Sequence, residues 1–188
     1  MGTGIIICGL NGAGKSTLGK ALAKELGFYF IDNEELYFPK TDSHYTYASP
    51  RTRKEVEQLL FSEIKAHKDF IFASVKGDYG ETIYPLFQYA VLLDVPRDIR
   101  LQRVKERSFQ KFGSRMLRGG DLYEQEKNFF DLVKSRAENT VEEWLQSLSC
   151  PIIRVDGTKP IEENVKFIIE RIRSYISIYR NKVKGVSW

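Results

Sequence analysis

The run Gly9-Leu10-Asn11-Gly12-Ala13-Gly14-Lys15-Ser16-Thr17 constrains this chain more than any other stretch. It fits G-x-x-x-x-G-K-[ST], a phosphate-binding loop pattern. Ile5-Ile6-Ile7-Cys8 before it suits a buried strand, and Leu18, Ala21, Leu22 and Leu26 after it recur at helical spacing. Glycines let backbone N–H groups turn inward around phosphate oxygens. A helix N-terminus adds a field that favours anions. In that setting Lys15 supplies a point charge for the outer phosphates and Ser16 a hydroxyl for Mg²⁺.

The rest of the chain alternates strand and helix patterns. Strands are expected at 28–32, 70–75, 89–95 and 152–156, and helices at about 52–67, 97–109, 121–147 (broken in the middle) and beyond Pro160. The final helix carries Ile161, Val165, Ile168, Ile169, Ile172 and Ile176 on one stripe. Residues 33–50 read as a polar, aromatic, turn-rich segment, and Gln110 to Gly120 as a mobile glycine-containing loop. Such alternation predicts an open parallel sheet with helices on both faces. Ligands in such sheets bind beyond the carboxyl ends of the strands. Function is therefore expected in the glycine loop and in segments 32–53, 74–83, 94–120 and 156–160.

A chain of 188 residues suits one domain and buries enough surface to need no disulfide staple. Cys8 and Cys150 stand beside apolar residues and read as small buried hydrophobes in a reducing compartment. With only His44 and His67 besides, no structural zinc site is expected. No apolar stretch approaches the ~20 residues that span a bilayer. The N-terminus has no signal-peptide pattern, so the cytoplasm is the expected compartment and no membrane partner is expected. The net charge of +4 fits polyanionic ligands without implying nucleic acid. Tyr175, Tyr179 and Trp188 read as a tail folded back on the domain.

At this point the chain resembles the nucleoside-monophosphate-kinase-like class of P-loop small-molecule kinases, the adenylate-, shikimate- and gluconate-kinase-like branch of AAA-family ATPases. The early phosphate loop carries the resemblance, with Asp94-Val95-Pro96 followed by Arg103 and Arg107, and Val155-Asp156-Gly157-Thr158 after the last strand. It implies a three-layer α/β P-loop fold with a five-stranded parallel sheet, an acceptor-binding insertion at 33–67 and a lid at 110–120. It further implies Mg-ATP on Gly9, Asn11, Gly12, Ala13, Gly14, Lys15, Ser16 and Thr17. In such enzymes the first arginine packs on the adenine and the second reaches phosphate, and the segment holding Gly157 and Thr158 passes the base. Independently of the resemblance, Arg103 and Arg107 are four apart and share a helix face, and a guanidinium both stacks and forks onto phosphate. Lys111, Arg115 and Arg118 fall in the lid, where arginines would neutralise charge on the transferring group.

The acceptor side is open in the sequence. Asp32 ends the second strand, beside the phosphate loop in the expected order, and would hold an acceptor hydroxyl as base or organise Mg²⁺ with Ser16; capping the next turn is its plainer role. Glu34 is placed to share the task. Arg51 and Arg53 would bind an anionic acceptor or simply face solvent at a helix start. Lys76 and Asp78 follow the strand expected next to the loop and are further candidates. Tyr37, Phe38, Tyr45 and Tyr47 line a pocket or pack the insertion, packing being the simpler reading. One departure from the nucleoside monophosphate kinases stands out: their third strand ends in an Asp leading to Gly-x-Pro-Arg, whereas here it ends Ala73-Ser74-Val75-Lys76. The expected activity is ATP-dependent phosphoryl transfer to a metabolite or nucleotide, by a monomer or homodimer. A nucleotide-binding switch and a nucleic-acid end kinase stand as alternatives.

Overall fold

In the computed structural model, which describes residues 2–39, 42 and 44–184 (side chains through 175), the architecture is a three-layer α/β sandwich. Five strands, β1 (Gly4–Cys8), β2 (Tyr29–Asp32), β3 (Phe70–Ala73), β4 (Tyr89–Asp94) and β5 (Ile152–Asp156), form a parallel sheet in the order β2-β3-β1-β4-β5. Its register pairs Ile6 with Phe72 on one side and with Ala90 on the other. Helices α1 (Lys15–Leu26) and α7 (Ile161–Lys184) pack together on one face, and α3 (Arg53–Ala66) and α6 (Thr140–Leu145) lie on the other.

The period-2 geometry of β1 assigns its residues to both layers. Ile5 and Ile7 join Leu18, Leu22, Val165 and Ile168. Ile6 and Cys8 join Val56, Leu60 and Trp144. With both faces covered, the inner strands read as nearly unbroken apolar runs. Gly27 closes α1 in the left-handed region at φ 70°, where a side chain would be strained. Thr52 and Glu55 form a reciprocal capping box that starts α3. Both cysteines are free, Cys8 being buried. No helix among the described residues is long and apolar enough to cross a membrane.

Two expectations need correction. Residues 33–37, read as turn-rich, form the short helix α2 (Asn33–Tyr37), because the Asp32 side chain accepts from the Glu34 backbone N–H and caps it. The mobile loop expected from Gln110 is largely ordered structure. Helix α4 (Arg97–Phe112) runs on through Phe112, followed by a 3-10 turn (Gly113–Met116) and α5 (Tyr123–Ser135). The physical reason is a third apolar cluster in which Phe112, Met116 and Leu122 pack with Tyr45, Tyr47 and Phe130. Tyr175 packs on Tyr89, while the side chains of Ile176 and Tyr179, and Trp188, lie outside the described residues.

Every fourth residue of α4, Arg100, Val104, Ser108 and Phe112, is buried. The charged member is satisfied: Arg100 Nε donates to the Val95 carbonyl at 2.9 Å, and its Nη2 forks onto the Glu138 carboxylate at 2.6 and 2.8 Å. Its side chain is 4% exposed. Arg100→Ala leaves the Val95 carbonyl without that donor and opens a void, which should remove about 2–3 kcal/mol. The expected fall in melting temperature is about 5–10 °C by differential scanning calorimetry; a midpoint within about 1 °C of the parent would refute this anchoring role.

Candidate functional site

The glycine loop leaves the end of β1 and enters α1 through three left-handed or near-extended glycines, Gly9 (φ 150°), Gly12 (φ 83°) and Gly14 (φ 98°). A Cβ on Gly12 would sit 2.2 Å from the Arg100 carbonyl oxygen, so only glycine fits against α4 there. Gly9 N–H donates to the Val75 carbonyl, tying the loop to the segment after β3. Helix α1 begins with no side-chain cap and no acid in its first turn. Its first N–H groups are thus left for an external anion. The buried Asn11 Oδ1, also on the loop, has no hydrogen-bond partner among the described residues.

Lys15 folds back so that Nζ donates to the Leu10 carbonyl at 3.1 Å. Burial, reinforced by the charge of Arg107, pulls its pKa from the ordinary lysine value to about 8. Asp32 opposes that shift from across the site.

Two cavities flank the loop. The first, about 190 Å³, is lined by Ser16 and Lys20 of α1, Asp32, Glu34, Glu35 and Phe38 around α2, Thr46 and Tyr47, and Arg107 and Lys111 of α4. In it Arg107 pairs with Glu34 at 3.5 Å, and the Tyr47 hydroxyl donates to Glu34 at 2.8 Å while accepting from Lys111 Nζ at 3.0 Å. Burial and the Glu34 charge push the Tyr47 phenol above its usual range, which keeps it a donor. The second cavity, about 220 Å³, lies on the other side and is lined by Ala13, Gly14, Thr17, Leu93, Arg103 and Gly157 among others. Arg103 reaches across it to the Gly157 carbonyl at 3.2 Å. Four residues apart on α4, Arg103 and Arg107 thus face two different chambers on either side of the loop.

Other candidates do not join these cavities. Arg51 donates to the Leu36 carbonyl at 2.7 Å and finishes α2. Arg53 and Lys76 both pair with Asp78, at 3.7 and 3.0 Å. Thr158 is held by Asp156, whose Oδ1 accepts from the Thr158 N–H and hydroxyl. Arg115 forks onto Asp121 beside His44, and Arg118 is exposed. Asp32 keeps its capping bond to Glu34 N–H and at the same time lines the first cavity with Ser16.

Sequence reasoning missed Lys20, Thr46 and Arg136, and set Tyr47 down as packing. Lys20 was legible, four residues beyond Ser16 on the same face of α1. Arg136 follows α5, and burial holds its guanidinium below the usual range. Its charge is among those acting on Lys15. Nothing local marks it, because only packing of α5 against α4 brings it near the loop.

Comparison with known proteins agrees with this architecture. The AAA domain family matches residues 5–112. The chain is 31% identical over 183 residues to the "Uncharacterized protein YqaC" of Bacillus subtilis (strain 168), covering 92% of this chain and 97% of that one. It is 28% identical over 117 residues to a shikimate kinase of Phocaeicola vulgatus (strain ATCC 8482), covering 54% of this chain and 67% of that one. Its fold superposes on the crystal structure of a gluconokinase from Sinorhizobium meliloti 1021 with a TM-score of 0.58 at 16% identity, covering 94% and 97% of the two chains. With its glycine loop, 2-3-1-4-5 parallel sheet and flanking helices, the chain belongs to the AAA domain family.

Proposed function

We propose that this protein transfers the γ-phosphoryl group of Mg-ATP to a hydroxyl of a small-molecule acceptor. The observation that carries the reading is the pair of cavities on either side of one phosphate loop, with Ser16 and Asp32 in one and Arg103 and Gly157 in the other. The likeness to proteins named shikimate kinase and gluconokinase supports it. The base of ATP lies by Arg103 and the 156–158 segment, and its phosphates on residues 9–17. The acceptor enters beside Asp32 and residues 33–53. Residues 110–120 act as the lid, with Arg115 and Arg118 turning toward the transferring group on closure. The free cysteines support a reducing, cytoplasmic setting.

The donor set in the first cavity suits a hard cation. Mg²⁺ is commonly held by one or two protein oxygens plus phosphate oxygens and water, and Ser16 and Asp32 offer a hydroxyl and a carboxylate on one wall. When bound there it would neutralise charge on the phosphate chain. In the transfer, the bond from the γ-phosphorus to the β–γ bridging oxygen breaks, leaving ADP. A new P–O bond forms to the acceptor oxygen, whose hydroxyl proton passes to Asp32. Lys15 holds the outer phosphate oxygens, and Arg107 is one turn of α4 away from the base-side arginine to do the same. Closure of residues 110–120 would exclude water, which would otherwise take the phosphoryl group.

Lys15→Ala should lower acceptor-dependent ATP turnover by about a hundredfold or more; turnover left intact in pure protein refutes the assignment. Asp32→Asn retains an oxygen that caps α2, so the fold and nucleotide affinity should hold while kcat falls by about 10²–10⁴. Unchanged kcat would remove Asp32 from the chemistry. The lowered Lys15 pKa adds a pH signature. Above about pH 8 the empty protein begins to release the Lys15 proton, whereas a bound polyphosphate favours the charged form and restores it. Nucleotide binding between pH 8 and the ordinary lysine value should therefore take up as much as one proton, and affinity should weaken as pH rises through this window. Calorimetric titrations in buffers of different ionisation enthalpy read this uptake, and Lys15→Ala should abolish it.

A further inference from the structure

We infer that the acceptor is an uncharged, multiply hydroxylated ring compound of sugar or nucleoside type, and that the first cavity discriminates against phosphorylated or carboxylated acceptors. The inference rests on the phosphotransferase reading above and concerns which molecules that site admits.

The α2 end of the cavity presents three carboxylates, Asp32, Glu34 and Glu35, with the Thr46 side chain and the rings of Phe38 and Tyr47. Carboxylates accept hydrogen bonds from hydroxyls and repel other anions. The arginines and lysine that the sequence offers for an anionic acceptor are engaged elsewhere: Arg51 on the carbonyls that end α2, and Arg53 and Lys76 on Asp78. Three cations do reach the cavity, but from the α1 and α4 side. Lys20 stands four residues from Ser16 on α1, Arg107 is paired to Glu34, and Lys111 donates to Tyr47 and lies 4.2 Å from the centre of its ring. Two of these cations are thus engaged by the cavity's own lining, Arg107 by Glu34 and Lys111 by Tyr47.

The aromatic wall is built to stay in place. Phe38 meets Tyr47 edge-on with ring centroids 4.9 Å apart, and Tyr47 also packs on Phe112 and Phe129. The neighbouring Tyr45 donates at 2.8 Å to Glu126, a residue with 0% exposure, which pins the loop holding Thr46 and Tyr47 onto α5. A rigid aromatic surface beside a row of carboxylates binds a ring through its apolar face and its hydroxyls through their protons. The volume of about 190 Å³ is below the roughly 300–1,000 Å³ of sites for drug-sized ligands, which suits a single small ring.

The test uses the full chain with Mg-ATP and matched acceptors: free sugars against sugar phosphates and sugar acids, and nucleosides against nucleoside monophosphates. ADP release and product mass are read together, with Lys15→Ala as the control. The expected result is Lys15-dependent transfer with kcat/KM about a hundredfold higher for the uncharged member of a pair; which arm responds tells sugar from nucleoside. Glu34→Gln removes one repelling charge and frees Arg107, so it should narrow that ratio by about tenfold, mainly by gain on the anionic member. Tyr47→Phe removes the bond to Glu34 without changing charge, and should lower kcat/KM while leaving the ratio as it was. Lys15-dependent transfer that prefers the anionic members overturns the acceptor inference and leaves the phosphotransferase reading standing. Absence of Lys15-dependent transfer to any member overturns the phosphotransferase reading itself, and the acceptor inference with it.

Discussion

The site depends on one backbone-to-backbone approach: Gly12 of the phosphate loop lies against the carbonyl of Arg100 at the start of α4, where an added Cβ would come within 2.2 Å of the oxygen. That contact docks α4 beside the loop. The Arg100 side chain, buried and bound to Val95 and Glu138, then fixes the helix in rotation. With α4 held this way, positions one turn apart look to opposite sides of the loop, so Arg103 reaches the Gly157 carbonyl while Arg107 reaches Glu34. A helix that docked one residue out of phase would take both arginines off these partners.

Electrostatics divides the same site. Lys15 is partly desolvated and crowded by Arg107 and Arg136, with Asp32 the compensating charge. Glu34 is the junction of the negative wall, taking the Arg107 guanidinium and the Tyr47 hydroxyl at once. Tyr47 in turn receives Lys111, so the end of α4, the aromatic loop and α2 form one hydrogen-bonded unit. The aromatic loop and residues 110–120 are therefore joined through side chains rather than only through the chain.

Much of the layout was legible because it is written at short range. The phosphate loop, the Gly27 stop of α1, the Thr52–Glu55 start of α3 and the apolar runs of the strands each depend on residues within a turn or two of one another. Segment 110–120 was misjudged because its order comes from distant partners: Phe112, Met116 and Leu122 are sheltered by Tyr45, Tyr47 and Phe130, which no local window connects. Segment 33–37 has a local cap, Asp32 on Glu34 N–H, which was read as capping a turn and not a helix. Arg51, Arg53 and Lys76 looked like anion binders, since a cation in a loop carries no local sign of the carbonyl or carboxylate that will engage it.

By itself, then, the sequence determined the class of fold and the position and shape of the glycine loop, because glycine conformational freedom, β1–loop–α1 order and hydrophobic period are local properties. Tertiary structure alone decided which charges remain at the site. Asp32 serves as cap and cavity wall together only because β2 ends level with the loop across β3. Arg136 and Tyr47 reach the site only because α5 and the aromatic loop pack on α4. Ion pairing and desolvation act through space over a few ångströms, and only the folded chain sets which residues are that close.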